Sequence, residues 1–585
     1  MQKNQLFFDT ECYPNYFLIV FKDLNGNEEC FVKDENNVLP VARIRKLLET
    51  RQTIGFNSRM YDIPMITYAL SGVSNSLLKE MSDRIINESV YNTLCEYQLW
   101  CPKEYDHIDI INVAIGKNGL KMYGARINTP YLQDLPYDPS SSLTKEDKAI
   151  IKKYCSNDVD ITKNLYLHLK NEIDIRTAIN DEYKVDVRSK SDAQIAEVLI
   201  NKQLVSSKKE ITSFDFKYTP PDYIKFNSDT LNNLLVKFTE IEFKGVAGDK
   251  LLEKGIVTDV IINDVPYSCG IGGLHSKEEA RTVIASDNEY IIDIDVVSYY
   301  PTIILNNKYC PDNYNVEEFL EFYRKIYDDR IIAKKENNVS KANVYKIILN
   351  GSFGKFGDQY SSLYSPKLLI HTTITGQLSI LMLIEKLEEY GYNVLSTNTD
   401  GITVKVKKDK YEFFRQIVKS WEDKVNFKTE EVKYKSLHNQ SVNSYIAIKE
   451  DGTLKCKGLF GSDDISRNPA IKICKEAIFS YLLDKRKVED TIMNAKQDPS
   501  NFIMVRKCTK GGYWKGEYLG KVVRWYWSKQ GEPITNPKGD KVANTDDAFP
   551  IMNMEDKIAD IHYEKYIAKT YELLETIGIR SPWHE

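Results

Sequence analysis

The sequence has no CxxC pair and no zinc-site spacing, because its ten cysteines are dispersed over 585 residues. It also has no uninterrupted run of about 18 uncharged apolar residues, the length that a membrane-spanning helix requires. The N-terminal MQKNQLFFDTEC reaches an acidic residue before any apolar core, so no signal peptide is expected. Dispersed cysteines in a large chain are typical of reduced, intracellular proteins, and the sequence therefore predicts a cytoplasmic protein.

Internal repeats and low-complexity tracts are absent as well. Hydrophobic residues make up 42% and aromatic residues 11% of the chain, as in ordinary globular proteins. The chain is too long for one hydrophobic core, so several domains of about 100–200 residues are expected. The net charge of −5 argues only weakly against nucleic-acid binding, because the distribution of charge matters more than its total. Eight basic residues stand against three acidic ones from Arg324 to Lys355, a pattern that alone is more typical of a solvated helix face.

The first 115 residues alternate strand-like runs (LFFD, YFLIVF, TIGFN) with helical stretches, which predicts an α/β layer domain. The segment from Leu143 has helical spacing, with Thr144 at its N-cap position. KYTPPDY at 217–223 predicts a connector.

Farther along, EYIIDIDVVSYYP at 289–301 is strand-rich, and helical patterns dominate 315–355 and 377–390. The C-terminal GGYWKGEYLGKVVRWYW predicts strands and turns. Its tryptophans are more typical of core packing than of base stacking: Trp514, Trp525 and Trp527.

Asp9 and Glu11 lie two residues apart in the strand-like LFFDTEC, so both carboxylates are predicted to share one face of a strand. Alone, this pair is more typical of a solvated sheet edge. Two further segments favour a site. IGFNSRMYDIP carries Asp62 at a strand-to-helix transition, and YCSND places Tyr154 and Asp158 four residues apart on one helix face. Four carboxylates and a tyrosine suit hydrolysis of a phosphodiester with two Mg²⁺ ions.

These three segments resemble the motifs of ribonuclease-H-like proofreading exonucleases, which are DxE, N-x₃-[FY]-D and Y-x₃-D in that order. The resemblance implies that Tyr154 orients the attacking water, while Asn57 and Tyr61 hold a single-stranded 3′ end. The implied metal ligands are Asp9, Glu11, Asp62 and Asp158.

DVVSYYP, which starts at Asp295, resembles motif A of family B DNA polymerases, D-x₂-S-L-Y-P, with Tyr299 at the leucine position. The alternative is a buried strand ending at Pro301, but two aspartates are costly to bury there without a metal or other partners. The resemblance implies that Asp295 binds both catalytic metals, helped by the Val296 carbonyl. It also implies that the ring of Tyr300 blocks a ribose 2′-hydroxyl and so selects deoxynucleotides.

K-x₃-N-x₂-FG resembles motif B, K-x₃-N-S-x-Y-G, with Gly351 at the serine position and Phe353 at the tyrosine position. Its residues share one helix face. Lys346 would neutralise charge on the incoming triphosphate and assist departure of pyrophosphate. Arg330 and Lys334 resemble the family's second pair of triphosphate contacts. The implied nucleotide contacts are Ser298, Tyr299, Tyr300, Arg330, Lys334, Lys346, Asn350, Phe353 and Gly354.

STNTDGITV resembles the motif C hairpin, D-T-D, with Asp400 at the second aspartate and Asn398 at the first. The two indispensable metal ligands of the family, here Asp295 and Asp400, are both present. Asn398 brings less negative charge, which bears on metal affinity and ion choice. Taken alone, TDG is a common turn.

Two shorter matches resemble DNA-contacting elements of the family. VNSYIAI followed by KCKG is similar to the K-x-Y and K-x-K-G elements, with Asn443 at the first lysine position. YSCGIGG resembles the glycine-bearing link between exonuclease and polymerase, whose backbone N–H groups approach a phosphate. The implied DNA contacts, with those of the exonuclease site, are Asn57, Tyr61, Tyr267, Gly272, Gly273, Tyr445, Lys457 and Gly458.

The resemblance covers about three-quarters of the chain, from Asp9 to Gly458, and implies an α/β multidomain protein. A ribonuclease-H-like exonuclease domain is expected beside a right-hand polymerase of the bacteriophage kind. The expected layout is 1–185 exonuclease, 186–290 connecting region and start of the palm, 291–312 palm with motif A, 313–360 fingers with motif B, 361–462 palm with motif C, and 463–585 thumb.

The implied activities are DNA-dependent DNA synthesis and 3′→5′ proofreading, each with two Mg²⁺ ions, for which Mn²⁺ can substitute. The implied partners are primer–template DNA, dNTPs and a single-stranded 3′ end in the exonuclease site. A helicase, a single-strand-binding protein or a clamp is a candidate partner, and no membrane is expected. If phage-encoded, the protein would work in the cytoplasm of a bacterial host.

The spacing of the motifs favours an ordinary primer. The 51 residues from Asp295 to Lys346 and the 46 from Gly354 to Asp400 barely hold a two-helix fingers insert and the return to the palm. Protein-primed phage polymerases have the same motif order with extra insertions in both gaps. A protein-primed enzyme, a nuclease with a degenerate polymerase half and a non-catalytic nucleic-acid scaffold remain the alternatives.

Overall fold

A computed structural model describes residues 4–207, 211–248, 257–462, 465–468, 471–495 and 498–580. The chain divides into two compact units, and both are discontinuous in sequence. The first unit consists of Met1–Ser191, Asp463–Ala477 and Glu489–Ile567, and the second of Asp192–Ser462, Ile478–Val488 and Ala568–Glu585. The predicted α/β multidomain class is confirmed.

A five-stranded sheet in the order β3-β2-β1-β4-β5 forms the centre of the first unit. Its strands are β1 Gln5–Tyr13, β2 Tyr16–Asp23, β3 Glu28–Lys33, β4 Gln52–Gly55 and β5 His107–Asp109. β1 pairs antiparallel with β2 and parallel with β4, so the sheet is mixed. The runs LFFD, YFLIVF and TIGFN thus form the strands predicted for them.

Helices cover both faces of this sheet, because its strands carry apolar side chains on both sides. Phe7 and Leu18 pack on one face, and Phe8 and Ile19 on the other. The helices are α1 Val41–Thr50, α2 Asp62–Ala69, α3 Asn75–Asn87, α4 Val90–Tyr97, α5 Leu120–Arg126, α6 Lys145–His168 and α7 Lys170–Tyr183. Thr144 caps α6 as predicted, in a reciprocal capping box with Asp147.

The second unit is built on a ten-stranded sheet. Its path is β17-β16-β15-β12-β14-β13-β10-β9-β8, and β11 pairs with β15. The strands are β8 Thr258–Ile262, β9 Val265–Cys269, β10 His275–Ser276, β11 Arg281–Ile284, β12 Glu289–Val296, β13 Asn393–Asn398, β14 Gly401–Lys407, β15 Thr429–Ser441, β16 Ser444–Lys449 and β17 Leu454–Lys457. β6 (Ser213–Lys217) and β7 (Glu242–Val246) pair separately.

Seven helices accompany this sheet in the described part of Asp192–Ser462. They are α8 Asp192–Gln203, α9 Asp229–Glu240, α10 Tyr299–Asn306, α11 Val316–Lys335, α12 Val339–Lys355, α13 Pro366–Glu389 and α14 Tyr411–Val425. By length and composition α13 could cross a membrane, but 94% of its apolar window is buried inside the protein. Its side chains Ile374, Leu378 and Leu381 pack in the core with strands of the sheet, so α13 is the central core helix.

The C-terminal segment, predicted as a thumb, divides between the two units. Its elements are α15 Lys472–Asp484, α16 Val488–Asn494, β18 Met504–Trp514, β19 Glu517–Trp527, β20 Ala548–Pro550 and α17 Tyr563–Glu575. The Trp/Gly-rich stretch forms the strands predicted for it. Trp525 and Trp527 are buried, and the Trp514 indole N–H donates to the Ala548 carbonyl at 3.0 Å, so these side chains serve packing.

Candidate active sites

The first carboxylate cluster starts on the central strand of the first unit. In the β1–β2 ladder Asp9 pairs with Val20 and Glu11 with Leu18, so both acidic side chains leave the same face of β1. Carboxylate oxygens of both residues and the sulfur of Cys155 lie within 4.8 Å of one another. The predicted pairing of Asp9 and Glu11 on one face is therefore present in the structure.

Helices α2 and α6 bring the carboxylates of the other two predicted ligands within electrostatic range of Asp9. Asp62 is the first residue of α2, where its buried carboxylate accepts a hydrogen bond from Thr10 Oγ1 at 2.6 Å. Asp158 and Tyr154 lie one turn apart on the buried side of α6. Burial, and then the negative charges of Asp62, Asp158 and Glu11, raise the pKa of Asp9 well above its ordinary value.

The electrostatics of this cluster favour bound cations. Burial also raises the pKa of Glu11, with Asp158 as the largest negative neighbour, and raises that of Asp62 to about 7. Ionised carboxylates that are buried together repel one another unless positive charge is added. All-oxygen donors of this kind are what Mg²⁺ takes, so the donor set fits a pair of divalent ions.

Lys121, on the short helix α5, joins this cluster, and no motif predicted it. Its Nζ is paired with the Asp158 carboxylate and lies 4.1 Å from the centre of the Tyr154 ring. The positive charge lowers the pKa of Asp158, although burial dominates and the net direction is upward. A single lysine in an unremarkable helix carries no pattern that sequence reading could detect.

The loop predicted to hold a DNA end has a fixed shape. Asn57 is exposed and adopts a left-handed conformation with φ 60°. The buried carboxylate of Asp109 accepts hydrogen bonds from the backbone N–H groups of Asn57 and Arg59, each at 2.9 Å. The half-buried Tyr61 shares a hydroxyl hydrogen bond of 2.7 Å with Ser82. Asp109 was not predicted, because its role depends on β5 lying beside β4.

The second cluster forms where β12 ends beside the β13–β14 turn. Asp295 pairs with Gly401 across β12 and β14, and the Val296 N–H donates to the Asp400 carbonyl at 2.8 Å. Gly401 is needed here, because a Cβ would lie 2.1 Å from Asp295 Oδ1. The structure thus brings the two predicted metal ligands of motifs A and C together. Burial, followed by the charge of Asp295, raises the pKa of Asp400, so this pair also favours a cation.

Asp293 completes a charged network behind Asp295. Its buried carboxylate lies 2.7 Å from Lys455 Nζ, which is 3.3 Å from Asp295 Oδ2. Asp293 was not predicted as a ligand, because the motif has no acidic residue there, and Lys455 on β17 was predicted only as part of KCKG, which resembles a DNA-contacting element.

The predicted triphosphate contacts lie on α10, α11 and α12. Arg330 donates a hydrogen bond to the Ser298 hydroxyl, and Ser298 has a left-handed backbone with φ 51°. Lys334 is instead paired with Glu430 at 2.9 Å. Lys346 and Asn350 are exposed one turn apart on α12.

The ring of Tyr300 stacks on Phe353, which follows on the same helix as Lys346, with 4.3 Å between ring centres. Gly354 beside it faces open space. The structure therefore joins the predicted sugar-selecting residue of motif A to the aromatic residue of motif B.

Two residues predicted to contact ligands have buried side chains. Tyr299, expected to contact a nucleotide, is 4% exposed and donates its hydroxyl to the Gly376 carbonyl at 2.5 Å. Tyr267, expected to contact DNA, is fully buried in the core of the second unit. Both tyrosine rings are core residues, since alternate positions of a strand or helix face inward.

The predicted glycine-bearing link abuts the motif C turn. A Cβ on Gly273 would lie 2.3 Å from Thr399 Oγ1, whereas Gly272 faces open space. The Gln377 amide clamps this link by donating to the Gly270 and Gly272 carbonyls. Asn398 donates to the Val442 carbonyl at 3.1 Å, so the residue that replaces the first aspartate joins the turn to the next predicted DNA contact.

That next region is the β16–β17 hairpin. Lys457 is exposed and lies 6.0 Å from the centre of the half-buried Tyr445 ring. Gly458 has φ 64°, and a Cβ there would lie 2.2 Å from the Asn443 carbonyl oxygen, so only glycine fits.

Comparison with known proteins gave partial matches. No protein-family model matches the chain. DNA polymerase 1 of Pyrococcus abyssi (strain GE5 / Orsay) is 22% identical over 251 residues, 36% of this chain and 32% of that protein. The DNA polymerase of Thermococcus sp. (strain 9oN-7) is 24% identical over 271 residues, 39% of this chain and 34% of that protein. The chain thus spans about a third of the length of these two curated relatives.

A solved structure of the family B DNA polymerase from the hyperthermophilic archaeon Pyrobaculum calidifontis aligns with 99% of this chain and 78% of that one. The identity is 14% and the TM-score 0.43. The predicted resemblance to family B DNA polymerases is confirmed at low identity, whereas the exonuclease and the bacteriophage type stay predictions.

Proposed function

This chain resembles the family B DNA polymerases, and we propose that it is a DNA-dependent DNA polymerase that carries its own 3′→5′ exonuclease. The observation that supports the proposal most strongly is the meeting of Asp295 and Asp400 beside one strand end. These residues are 105 positions apart, and each stands in a motif that assigns it to the metal site. A second, separate carboxylate cluster around Asp9 supports the exonuclease.

In the polymerase reaction the primer 3′-hydroxyl attacks the α-phosphate of a dNTP, and pyrophosphate leaves. Asp295 and Asp400 would hold two Mg²⁺ ions, or Mn²⁺, which activate the hydroxyl and neutralise the triphosphate. Lys346 and Arg330 would bind the triphosphate, and Lys346 would assist the leaving group. Tyr300, held against Phe353, would exclude a ribose 2′-hydroxyl. Lys457 and Gly458 would contact the primer–template duplex.

In the exonuclease reaction water attacks the terminal phosphodiester of a single-stranded 3′ end. Asp9, Glu11 and Asp62, with Asp158, would bind the two metal ions that stabilise attacking and departing oxygens. Tyr154 would orient the water, and its position beside Asp158 on α6 suits that role. Asn57 and Tyr61, which lie just before the N-terminus of α2, would hold the single-stranded DNA end.

We further propose an ordinary primer and a bacteriophage origin, with work in the cytoplasm of a bacterial host. The interval from Asp295 to Lys346 holds α10, α11 and the start of α12, and α13 fills most of the interval from Gly354 to Asp400. A long insertion of the protein-primed kind has no room there. A helicase, a single-strand-binding protein or a clamp would assist DNA synthesis on long templates. Efficient rolling-circle synthesis through a long duplex without such helpers would contradict the primer assignment.

Primer extension with Mg²⁺, run with and without dNTPs, tests both activities in one gel. The paired variant Asp9→Ala with Glu11→Ala should lose digestion and keep synthesis, and Asp400→Ala should do the reverse. Loss of both activities in each variant would overturn the two-site assignment.

The alternative functions predict different results in this primer-extension assay. A nuclease with a degenerate polymerase half would digest the primer and never extend it. A nucleic-acid scaffold without catalysis would do neither, although it would still bind DNA.

A further inference from the structure

Asp293 is a fixed anion directly behind the polymerase site. It is 8% exposed, and every hydrogen bond that reaches it comes from a different strand. Thr403 on β14 donates to its Oδ1 at 2.9 Å, and Tyr434 on β15 donates to its Oδ2 at 2.5 Å. Lys455 on β17 contributes an ammonium 2.7 Å from Oδ2. A buried carboxylate with three such donors is held in one position.

The same ammonium reaches the proposed metal ligand. Lys455 Nζ lies 3.3 Å from Asp295 Oδ2, so one positive charge is shared between two carboxylates two residues apart on β12. Asp293 and Asp295 face the same side of the strand because side chains alternate. A small cavity of about 30 Å³ is lined by both aspartates, Asn398 and Lys455.

A purely structural role explains only half of this arrangement. Thr403 and Tyr434 already tie Asp293 to the strands on either side of β12. An ion pair that served cohesion alone would not need to reach Asp295, which is 43% exposed at its side chain. The ammonium and a divalent cation would compete for the same carboxylate oxygen. Asn398, in place of an aspartate, removes one negative charge from this neighbourhood.

We propose that Asp293 and Lys455 form a charge pair that sets the metal affinity of the polymerase site. Lys455 neutralises Asp295 until a divalent cation displaces it, and Asp293 retains the displaced ammonium nearby. Both residues are positioning residues, since neither touches the reacting atoms. The inference rests on the proposed function, because it takes Asp295 and Asp400 as metal ligands.

The two single substitutions should act in opposite directions. Lys455→Met removes the competing charge, so Mn²⁺ should bind more tightly, by about tenfold. Asp293→Asn removes the anchor and leaves the ammonium on Asp295, so Mn²⁺ should bind more weakly by about the same factor. The double variant loses one positive and one negative charge, so its net charge is unchanged and it should bind Mn²⁺ nearly as the parent does.

Mn²⁺ binding is measured by electron paramagnetic resonance on the full chain, in a parent carrying Asp9→Ala and Glu11→Ala to disable the exonuclease site. Asp400→Asn in that parent identifies the signal of the polymerase site. Lys405→Met is the matched control: Lys405 pairs with Glu289 at 2.9 Å on β14 and β12, at the end away from Asp295. It should leave Mn²⁺ binding unchanged.

The outcomes separate the two proposals. If Asp400→Asn does not change Mn²⁺ binding, the metal site and the proposed function fail. If Asp400→Asn weakens it but Lys455→Met leaves it equal or weaker, the charge-pair inference alone fails. Should Lys455→Met fold poorly by circular dichroism, Asp293→Asn decides by itself, because the asparagine oxygen can still accept from Thr403 and its amide N–H can donate to the Tyr434 hydroxyl oxygen. Lys455→Arg keeps the charge and should restore near-parental binding. The Mg²⁺ concentration for half-maximal primer extension should shift in the same directions.

Discussion

The ring of Tyr300 is held in place by Phe353, with 4.3 Å between ring centres, and this contact decides what its loss should do. Replacing Tyr300 with Val removes the bulk that would meet a ribose 2′-hydroxyl. We expect ribonucleotide incorporation relative to deoxynucleotide incorporation to rise roughly tenfold or more. Primer extension with one rNTP at a time measures it. Tyr300→Phe keeps the ring and should keep the selection, and unchanged selection in Tyr300→Val would remove the assignment.

The buried carboxyl of Asp62 predicts a pH-dependent stability. Burial raises its pKa to about 7, whereas in the unfolded chain it titrates near its ordinary value of about 4. Between these values the folded state binds the extra proton, so stability falls as pH rises from about 4 through 7 and stays lower above. Asp62→Asn should therefore raise the melting temperature of chelator-treated protein at pH 8 and change little at pH 4.

Thermal unfolding monitored by circular dichroism checks this expectation. Mg²⁺ should stabilise the parent at pH 8 more than it stabilises Asp62→Asn. An equal effect of the substitution at both pH values would contradict the cause given for the shifted pKa.

Which residues could be predicted follows from what a motif records. A motif records the type and spacing of its residues. The structure brings Asp9 and Glu11 together in one cluster and Asp295 and Asp400 in another. A motif does not record partners that arrive from other elements. Lys121 comes from a short helix and no local pattern marks it, whereas Lys455 lies in KCKG, whose resemblance predicts a DNA contact but not an ion pair with Asp295. The rings of Tyr299 and Tyr267 are buried, which the motifs could not predict because matching a motif position does not tell which way a ring faces.

The packing of α12 on α8 gives a prediction at the scale of elements. A Cβ on Gly351 would lie 2.5 Å from the Asp192 carbonyl oxygen, which is backbone and cannot turn aside. Gly351→Ala should therefore lower the free energy of unfolding by about 1–3 kcal/mol, a typical cost of overpacking.

Gly354, three residues on in the same helix, is the matched control. A Cβ there meets nothing within 4 Å, so Gly354→Ala should not destabilise and should gain about 0.5–1 kcal/mol from helix propensity. Urea denaturation of both variants measures the difference. Equal effects of the two substitutions would contradict the close approach of α8.

Element types were predictable where periodicity is strong. Apolar strand-like runs predicted β1, β2 and β12, and the N-cap residue Thr144 predicted the start of α6. Irregularities such as bulges were not predictable, because they depend on how neighbouring strands pair. The β18–β19 hairpin shifts register between Lys507 and Gly512, and although the glycines there favour a bulge, its position depends on how the two strands pair.

At the scale of the whole molecule, Arg524 ties the C-terminal part of the first unit to its N-terminal part. It is fully buried and donates to the carbonyls of Thr129 at 2.6 Å and Met552 at 2.7 Å, with Ile551 at 3.2 Å. Burial lowers its pKa to about 10, which still leaves it charged at neutral pH. Arg524→Met should destabilise the first unit by at least about 1–3 kcal/mol, because buried carbonyls lose their donor.

Two measurements check this expectation: the melting temperature of the purified protein, and the temperature at which its exonuclease activity is lost. Arg524→Lys should be intermediate, since one ammonium cannot replace a planar fork of donors. Lys521→Met, at an exposed position of the same strand, should change neither. A melting temperature unchanged in Arg524→Met would contradict the tie.

The sequence could not reveal this tie, because local patterns predict strands and helices but not which unit they join. The C-terminal segment was assigned to a thumb by position alone, and most of it belongs to the first unit. The two carboxylate clusters, by contrast, lie within single units, so motif order sufficed to predict them.

Because the first unit is discontinuous in sequence, it cannot complete its fold until late in translation. Arg524 bonds a carbonyl made 395 residues earlier. At about 5–20 residues per second, translation delivers it roughly 20–80 seconds after its partner. During that interval the whole of Asp192–Ser462 is synthesised, so the second unit has most of its chain before the first can close. Nascent chains halted before β19 would therefore display an unfinished first unit, the state in which chaperones and proteases would meet it.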